Sequence, residues 1–362
     1  MILKVALNSL FKSLRKVAFS IIKLFVLLFL FQLSGFAQDP SFSQFTSNNL
    51  YYNPAYVGSN EKIDILIHYR RFLTNMPSKF ENIYFSIDYP FSKGKPIGMG
   101  GIGIMVFQNT EGDGCLKTSI IGIPLSTQIS NYSQNFFIQF GIMPSIVFKS
   151  IEWEDFIFGN QLNPYSGYDP TIAPPLSNGL ATSLPAFPDF SFGFFGKYID
   201  YPTGQSNMTN ILEFGIAFHH LPLNINQSFI NGNAPLPFKF VGNIKYTFSL
   251  ANNHREILIQ PSAIFEMQGP MNTTMIGAKV FNNSLLFGVG FRKEQSKLLE
   301  FNSFTIEGGY SIFDSNKRLW IILSIDVPMK SKYPIANTSY EVSLNIKIPD
   351  LSRIICKPIN GW

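Results

Sequence analysis

A chain of 362 residues in which 46% are hydrophobic and 15% aromatic but only 14% charged is too apolar for a water-soluble domain, where about a quarter are charged. The mean hydropathy of +0.12 is too low for a bundle of membrane helices, so the composition favours a lipid-facing β-barrel. The first 37 residues carry five of the 28 basic residues and no acidic one, which leaves 23 of each sign in the rest. The net charge of +5 therefore gives no reason to expect nucleic-acid binding.

Residues 1–37 have the features of a secretory signal peptide. They combine a basic start with an apolar stretch from Leu24 and the small-x-small ending Gly35-Phe-Ala37. An uncleaved membrane anchor is the alternative, but Lys23 interrupts an apolar run already shorter than the roughly 20 residues that a spanning helix needs. We therefore expect cleavage before Gln38.

Residues 38–60 do not have the pattern of a strand. Asn53-Pro-Ala55 interrupts any β-ladder, because Pro54 has no backbone N–H to donate. We predict a periplasmic or plug segment with a recognition role. An ordinary lead-in that covers the periplasmic rim of the fold is the alternative.

The remainder of the chain alternates between apolar and polar residues with a period of two, the pattern of β-strands. The same alternation occurs in soluble β-sandwiches, so it does not decide the fold alone. The signal peptide, the aromatic content and segments of about ten residues favour strands that cross a membrane at a tilt. In such a barrel the apolar face contacts lipid and the polar face lines the lumen.

The predicted fold is thus all-β: a transmembrane antiparallel β-barrel of the outer-membrane type, with about 14 strands over residues 61–348. An even strand number is typical of single-chain bacterial barrels. The predicted strands lie at 61–71, 80–89, 97–108, 115–129, 136–150, 188–200, 211–220, 238–250, 255–267, 272–281, 285–293, 300–312, 317–327 and 338–348.

The connections between these strands alternate in length. Those after even strands are short turns, while those after odd strands include the long segments 151–187 and 221–237. Short turns face the periplasm in this class of barrel, which places both ends of the mature chain there, including a tail at 349–362. The proline-rich loop 151–187 is either a stiff cap over the barrel mouth or a partner-binding surface, and the sequence favours neither.

Motifs that would indicate catalysis or cofactor binding are weak. A GxGxxG string at 98–103 continues as a strand, so we interpret its glycines as kinks that let the barrel curve. His219 and His220 are strand neighbours that should point to opposite faces, so they should not share a metal. Cys115 and Cys356 are too few for a Cys-rich zinc site. We expect no catalytic residues, no cofactor, no metal and no enzymatic activity.

A closed barrel must pair its first strand with its last, because an unpaired edge in lipid is costly. Placing Arg70 opposite Glu341 also places Asp64 opposite Lys347 and keeps the apolar faces together. We expect both pairs to point into a watery lumen. There each contributes at most ~1 kcal/mol and mainly fixes the register.

The N-terminal residues of the predicted mature chain carry a family resemblance. The matching positions are Gln38, Asp39, Pro40, Phe42, Ser43, Gln44, Asn53, Pro54, Ala55 and Gly58. This segment resembles the opening of the PorP/SprF family, membrane proteins of the Bacteroidetes type IX secretion and gliding machinery. Three later strings occur in the order of that family: Ser86-Ile-Asp88, Ser324-Ile-Asp326-Val-Pro328 and Ser339-Tyr-Glu341.

The resemblance implies an outer-membrane barrel that assists export or surface attachment of proteins with a type IX sorting domain. Its implied partners are outer-membrane lipid, periplasmic subunits of the secretion machine and the exported sorting-domain proteins. It implies no catalytic residue. A passive porin or small-solute transporter is the alternative function.

Overall fold

The computed structural model describes the predicted barrel and the segment before it. The described residues are 39–60, 62–72, 79–91, 99–112, 116–133, 135–153, 156–163, 165, 167–169, 171–172, 182–200, 210–221, 226–229, 234–252, 255–295, 300–314, 317–329 and 338–349. The predicted signal peptide, Gln38, Gly98, both cysteines and the residues beyond Pro349 lie outside these residues.

Within these residues, fourteen antiparallel strands form one closed sheet, as the sequence predicted. Each strand pairs with its neighbours in sequence, and the last strand pairs with the first, so the barrel has no free edge. The strands are β1 (Lys62–Arg71), β2 (Lys79–Pro90), β3 (Gly100–Gly112), β4 (Leu116–Gly122 and Leu125–Ser130), β5 (Phe136–Ile151), β6 (Phe187–Asp200), β7 (Asn210–His219), β8 (Lys239–Asn252), β9 (Arg255–Gln268), β10 (Met271–Asn282), β11 (Leu285–Gln295), β12 (Glu300–Asp314), β13 (Lys317–Pro328) and β14 (Ser339–Pro349).

Strand β4 is interrupted at Ile123 and Pro124. Pro124 has no N–H, so the regular ladder breaks there. The backbone around it remains bonded: Ile123 donates to the carbonyl of Pro144 at 3.0 Å, and the carbonyl of Pro124 accepts from Gly103 at 2.9 Å. The sheet therefore stays continuous across the break.

The seam between β1 and β14 has the register predicted from the charges. Arg70 lies opposite Glu341, and Asp64 lies opposite Lys347. The side-chain period of two explains why the register follows from the pattern, since a slip by one residue would turn every apolar side chain of β1 inward.

The barrel is apolar outside and largely polar inside. On β3, for example, Ile104 and Val106 are exposed while Gly103, Met105 and Phe107 are buried. Large exposed Ile, Leu, Val and Phe side chains recur on nearly all the other strands. This arrangement is typical of a barrel that faces lipid. Among the described residues, no helix is both long enough and apolar enough to span a bilayer.

Residues 39–60, called the plug below, lie inside the barrel. The plug contains a short helix, α1 (Asn49–Tyr52), followed by a 3-10 turn (Pro54–Tyr56). The Asn53 side chain accepts the Ala55 N–H at 2.9 Å, and Pro54 occupies the first position of the turn, where its missing N–H costs nothing. The Asn-Pro-Ala string therefore forms a compact corner that lies against the inner wall of the barrel.

The plug runs along the barrel from one end to the other. Asp39 donates its N–H to Gln268 Oε1 at 2.8 Å, at the end where the long connections 152–186 and 220–238 lie. Asn60 leads into β1 at the opposite, short-turn end, where Pro349 pairs with Lys62. The topology predicted from the sequence places both mature ends on one side. In the described residues, Asp39 and Pro349 lie at opposite ends instead.

Candidate functional site

Glu341 on β14 grips the backbone of the plug. Its two carboxylate oxygens accept the N–H of Ser43 at 2.6 Å and the N–H of Gln44 at 2.9 Å. On the barrel side, Arg70 Nε lies 3.1 Å and His68 Nε2 lies 3.3 Å from the same carboxylate. Only 1% of the Glu341 side chain is exposed, so these four contacts replace the water that a buried carboxylate loses.

The Ser43 hydroxyl binds between charges of opposite sign. It donates to Asp326 on β13 and accepts from Arg292 Nη1 at 3.0 Å. Asp326 is itself held by the hydroxyls of Thr305 and Ser339, each at 2.7 Å. The barrel thus orients the Asp326 carboxylate independently of the plug.

Gln44 and Ser41, which lie close to Ser43 in sequence, have polar partners on the barrel as well. The Gln44 amide donates to Ser324 Oγ at 3.0 Å and accepts from Ser343 Oγ at 2.6 Å. Arg292 also donates to the Ser41 hydroxyl and, at 3.2 Å, to the Ser41 carbonyl. Both polar ends of Gln44 and both oxygens of Ser41 are therefore bonded to the barrel.

Phe42 is the aromatic anchor of the plug and is fully buried. Its ring meets that of Tyr51 edge-on at 5.1 Å and those of Tyr84 and Phe107 at 6.0 and 6.1 Å. The His68 ring lies 4.7 Å away. Edge-to-face contacts of this kind add to the area that an aromatic side chain buries, so Phe42 makes a large contribution to holding the plug.

Glycines on the inner wall allow the Asn53 corner to approach the strands. A Cβ on Gly141 would lie 2.5 Å from backbone atoms of Ala55, and one on Gly193 would lie 2.0 Å from Asn53 Oδ1. Gly141 and Gly193 face each other across β5 and β6. The Asn53 amide donates to the Phe194 carbonyl at 2.9 Å, which ties the corner to this glycine patch.

Two glycines of the GxGxxG string, Gly101 and Gly103, serve the same purpose, which the sequence did not reveal. A Cβ on Gly101 would lie 2.6 Å from the Cα of Gly58, and one on Gly103 would lie 3.0 Å from a methyl group of Val57. Gly58 adopts a φ of +72° and donates its N–H to Asp88 at 2.6 Å. Close approach of the plug, rather than curvature alone, accounts for Gly101 and Gly103.

His219 and His220 both point into the lumen, contrary to the prediction of opposite faces. β7 ends at His219, and His220 has a φ of +57°, which turns its ring to the same side. His220 contacts Asp39 Oδ2 at 2.7 Å and Asp189 Oδ2 at 2.9 Å. His219 contacts the Tyr52 carbonyl at 2.9 Å. These histidines thus bind the plug, and the described residues contain no cluster of three or more candidate metal ligands.

The His220 contacts form an ionic latch at the long-loop end. Burial lowers the pKa of His220, but the Asp39 and Asp189 carboxylates outweigh it and raise that pKa to about 9. Burial also works to raise the pKa of Asp39, but His220 and Lys239 hold it well below its usual range. Both partners are therefore charged at neutral pH.

The two charge pairs of the seam have different surroundings. Arg70 and Glu341 are buried beneath the plug, so the expectation that water screens them is wrong. The second pair is as expected: Lys347 Nζ lies 3.7 Å from Asp64, and 38% of the lysine side chain is exposed. The predicted register is therefore realised, but only one of its pairs is a solvated ion pair.

A cavity of about 160 Å³ lies beside the plug toward the short-turn end. The plug contributes Thr46, Ser47 and Asn49 to its lining, and the wall contributes Lys245, Lys279 and Lys347. These lysines contact the Glu213, Glu307 and Asp64 carboxylates respectively. The cavity is therefore polar and close to charge-balanced.

All described residues of the N-terminal motif lie in the plug. The seam pair Arg70–Glu341 lies at the centre of the wall site that binds the plug. Sequence reasoning missed Arg292, His68 and the latch. A signal for part of the site was present: the strings Ser324-Ile-Asp326 and Ser339-Tyr-Glu341 each place two polar residues on the inner face, and all four contact the plug or the carboxylate that holds Ser43.

A closed sheet with an apolar exterior and an N-terminal segment bound in its lumen defines a plugged membrane β-barrel. The particular family follows from the sequence: the model of the type IX secretion system membrane protein PorP/SprF family matches residues 34–346. The chain belongs to this family.

Other comparisons yield only distant likenesses. No curated protein matches the chain significantly. Among solved structures, a TodX monoaromatic hydrocarbon channel deltaS2 mutant has a TM-score of 0.43 at 10% identity, over 84% of this chain and 94% of that one. A Pseudomonas aeruginosa FadL homologue has a TM-score of 0.41 at 10% identity, over 82% and 92%. At such scores, what these proteins transport says nothing about this chain.

Proposed function

We propose that this protein is an outer-membrane component of the type IX secretion machinery that assists export or surface attachment of sorting-domain proteins. The observation that carries the proposal is the family match over residues 34–346, which includes the plug and nearly the whole barrel. Outer-membrane lipid, periplasmic machine subunits and the exported proteins are its partners in this proposal.

The bound plug supports this role over that of a passive porin. A solute would have to displace a segment that contacts the wall backbone to backbone at Gly58 and Gly101 and is gripped by Glu341. Porins keep a water-filled lumen instead. The plug is therefore better suited to a protein that recognises partners than to one that conducts small solutes.

Connection lengths suggest how the barrel is oriented. In the proposed orientation the short turns and the cavity face the periplasm, and the long loops face outward. Periplasmic subunits then meet the end at which Thr46, Ser47 and Asn49 of the plug line the cavity. The described part of the long loop, with a 3-10 turn at Gly159–Gln161, meets partners outside.

Deletion and complementation test the proposal. We expect loss of the gene to abolish surface display of a sorting-domain reporter, the full chain to restore it, and a chain lacking residues 41–58 to fail although it reaches the membrane. Purified full-length protein should show no steady ion conductance in planar bilayers. Normal reporter export in the deletion strain, together with an open-channel conductance, would establish the porin alternative instead.

A further inference from the structure

Four consecutive plug residues each have their own contacts with side chains of the barrel wall. Ser41 binds Arg292, Phe42 enters the aromatic pocket, Ser43 binds Asp326, and Gln44 binds Ser324 and Ser343; these contacts span β1, β2, β3, β11, β13 and β14. Meanwhile Glu341 holds two successive backbone N–H groups, a contact that does not depend on the side chains. Hydrogen bonds to the peptide backbone, combined with contacts to particular side chains, are how proteins recognise peptide segments.

Barrel residues hold most of this site in shape. Arg70 orients the Glu341 carboxylate, while Thr305 and Ser339 orient Asp326. His68, which also contacts Glu341, is the exception, because Asn48 of the plug lies 2.9 Å from its Nδ1. The Arg292 guanidinium lies 2.5 Å from Glu294 on its own strand. A site that is already ordered spends little free energy on rearrangement when a ligand binds. A ligand can therefore bind it without being covalently attached.

We propose that the barrel lumen is a peptide-binding site for segments with the pattern Ser–aromatic–Ser–Gln, and that its own N-terminal segment is an exchangeable occupant. A segment of this chemistry, from a second copy of the chain or from another protein, replaces residues 41–44 on the same contacts. The cavity beside Thr46 and Ser47 gives the occupant room to loosen from the short-turn end. Covalent attachment favours the chain's own segment through a high effective concentration.

Cutting the attachment tests the exchange in the otherwise complete protein. A protease site is inserted between Ser59 and Asn60, at the short-turn rim, and the purified barrel is cleaved so that the plug stays bound without a covalent link. A fluorescent peptide of residues 39–58 is then added. We expect it to replace the cleaved segment, with the bound fluorescence read after removal of free peptide.

Matched peptides define the specificity. A peptide with Phe42→Ala and Ser43→Ala should compete at least about 100-fold more weakly, because it loses the buried ring and the hydroxyl between Asp326 and Arg292. A peptide with Thr46→Ala and Ser47→Ala should compete like the unaltered one, since these residues line the cavity. Equal competition by all three peptides, or no exchange within a day, would overturn the proposal.

A second arm avoids cleavage. The uncut chain with Phe42→Ala and Ser43→Ala should bind the unaltered peptide at least about tenfold more tightly than the uncut natural chain does, because its own segment competes less well. If far-ultraviolet circular dichroism shows both barrels folded and their affinities are equal, the site is not exchangeable. Uncut chains that form dimers when mixed, captured by cross-linking, would identify a second copy as the source. Uncut chains that bind the added peptide but stay monomeric when mixed would identify a segment of another protein.

Discussion

Replacing Glu341 with glutamine removes the charge at the centre of the plug site while preserving side-chain shape. The variant leaves Arg70 buried opposite a neutral amide and weakens the grip on the Ser43 and Gln44 N–H groups. An amide has only one acceptor oxygen, so the other N–H then meets an NH₂ group.

The magnitude follows from burial. Removing one partner of a buried ion pair costs about 3–5 kcal/mol, because the remaining charge is not solvated. Hydrogen bonds to charged groups contribute about 1.5–3 kcal/mol each, but these overlap with the pair and do not add. We expect Glu341→Gln to lower the free energy of unfolding by about 3 kcal/mol, the lower end of this range, because Asp326 lies 3.3 Å from Arg70 Nη2 and still offsets its charge. The Lys347→Gln variant is the matched control at the same seam, and its half-exposed pair predicts a loss of at most ~1 kcal/mol.

Urea unfolding in lipid vesicles, followed by tryptophan fluorescence, measures both losses from the midpoint and slope. Limited proteolysis of the plug in the folded barrel provides a second reading, since a loosened plug is cut faster. If Glu341→Gln and Lys347→Gln destabilise the protein equally, or if Glu341→Gln costs less than ~1 kcal/mol, Glu341 does not hold the plug in the way its contacts indicate.

Three further predictions concern the plug and the start of the mature chain. Gly141→Ala should destabilise the folded barrel by about 1–3 kcal/mol in urea titrations, since its Cβ meets the plug backbone; Gly308→Ala, whose Cβ meets nothing within 4 Å, should stay within about 0.5 kcal/mol, and equal losses would contradict the close-approach argument. The raised pKa of His220, about 9, means that the latch contributes fully below the unfolded value of 6.5 and is lost as the pH rises through about 9. Proteolysis near Asp39 should therefore accelerate above about pH 9 in the natural chain. The His220→Gln variant should not show this acceleration. If it shows the same acceleration as the natural chain, His220 does not form the latch. Intact-mass measurement of membrane-purified protein should show a chain beginning at Gln38; retention of residues 1–37 would refute signal cleavage.

The barrel was predictable because its strands obey a short-range rule. Apolar and polar residues alternate in β1 and β14, so shifting one strand by an odd number of residues would turn apolar side chains into the lumen. The charges at Arg70, Glu341, Asp64 and Lys347 then select one register, which is the observed one. Strand ends were less well determined: β3 begins at Gly100 rather than 97, and the break in β4 at Pro124 was not foreseen.

The plug's interactions could not be read from local patterns. Ser43 and Asp326 are 283 positions apart, and nothing near either residue specifies the other. The strand period predicts that Asp326 and Glu341 point inward, but it does not distinguish a watery lumen from a filled one. The positive φ that turns His220 inward likewise depends on its contacts with Asp39 and Asp189 rather than on a local preference, since non-glycine residues rarely adopt it.

The plug is held to the wall at two positions, so the length of chain between them is constrained. Gln44 is pinned by the Glu341 carboxylate, and Asn53 by the glycine patch on β5 and β6, so the intervening residues must span a set distance. The helical turn at Asn49–Tyr52 adjusts their length, while Thr46 and Ser47 border empty space. Insertions in this chain should therefore be tolerated at positions 46 and 47, and a single deletion between Asn49 and Asn53 should place the corner and the aromatic anchor out of step.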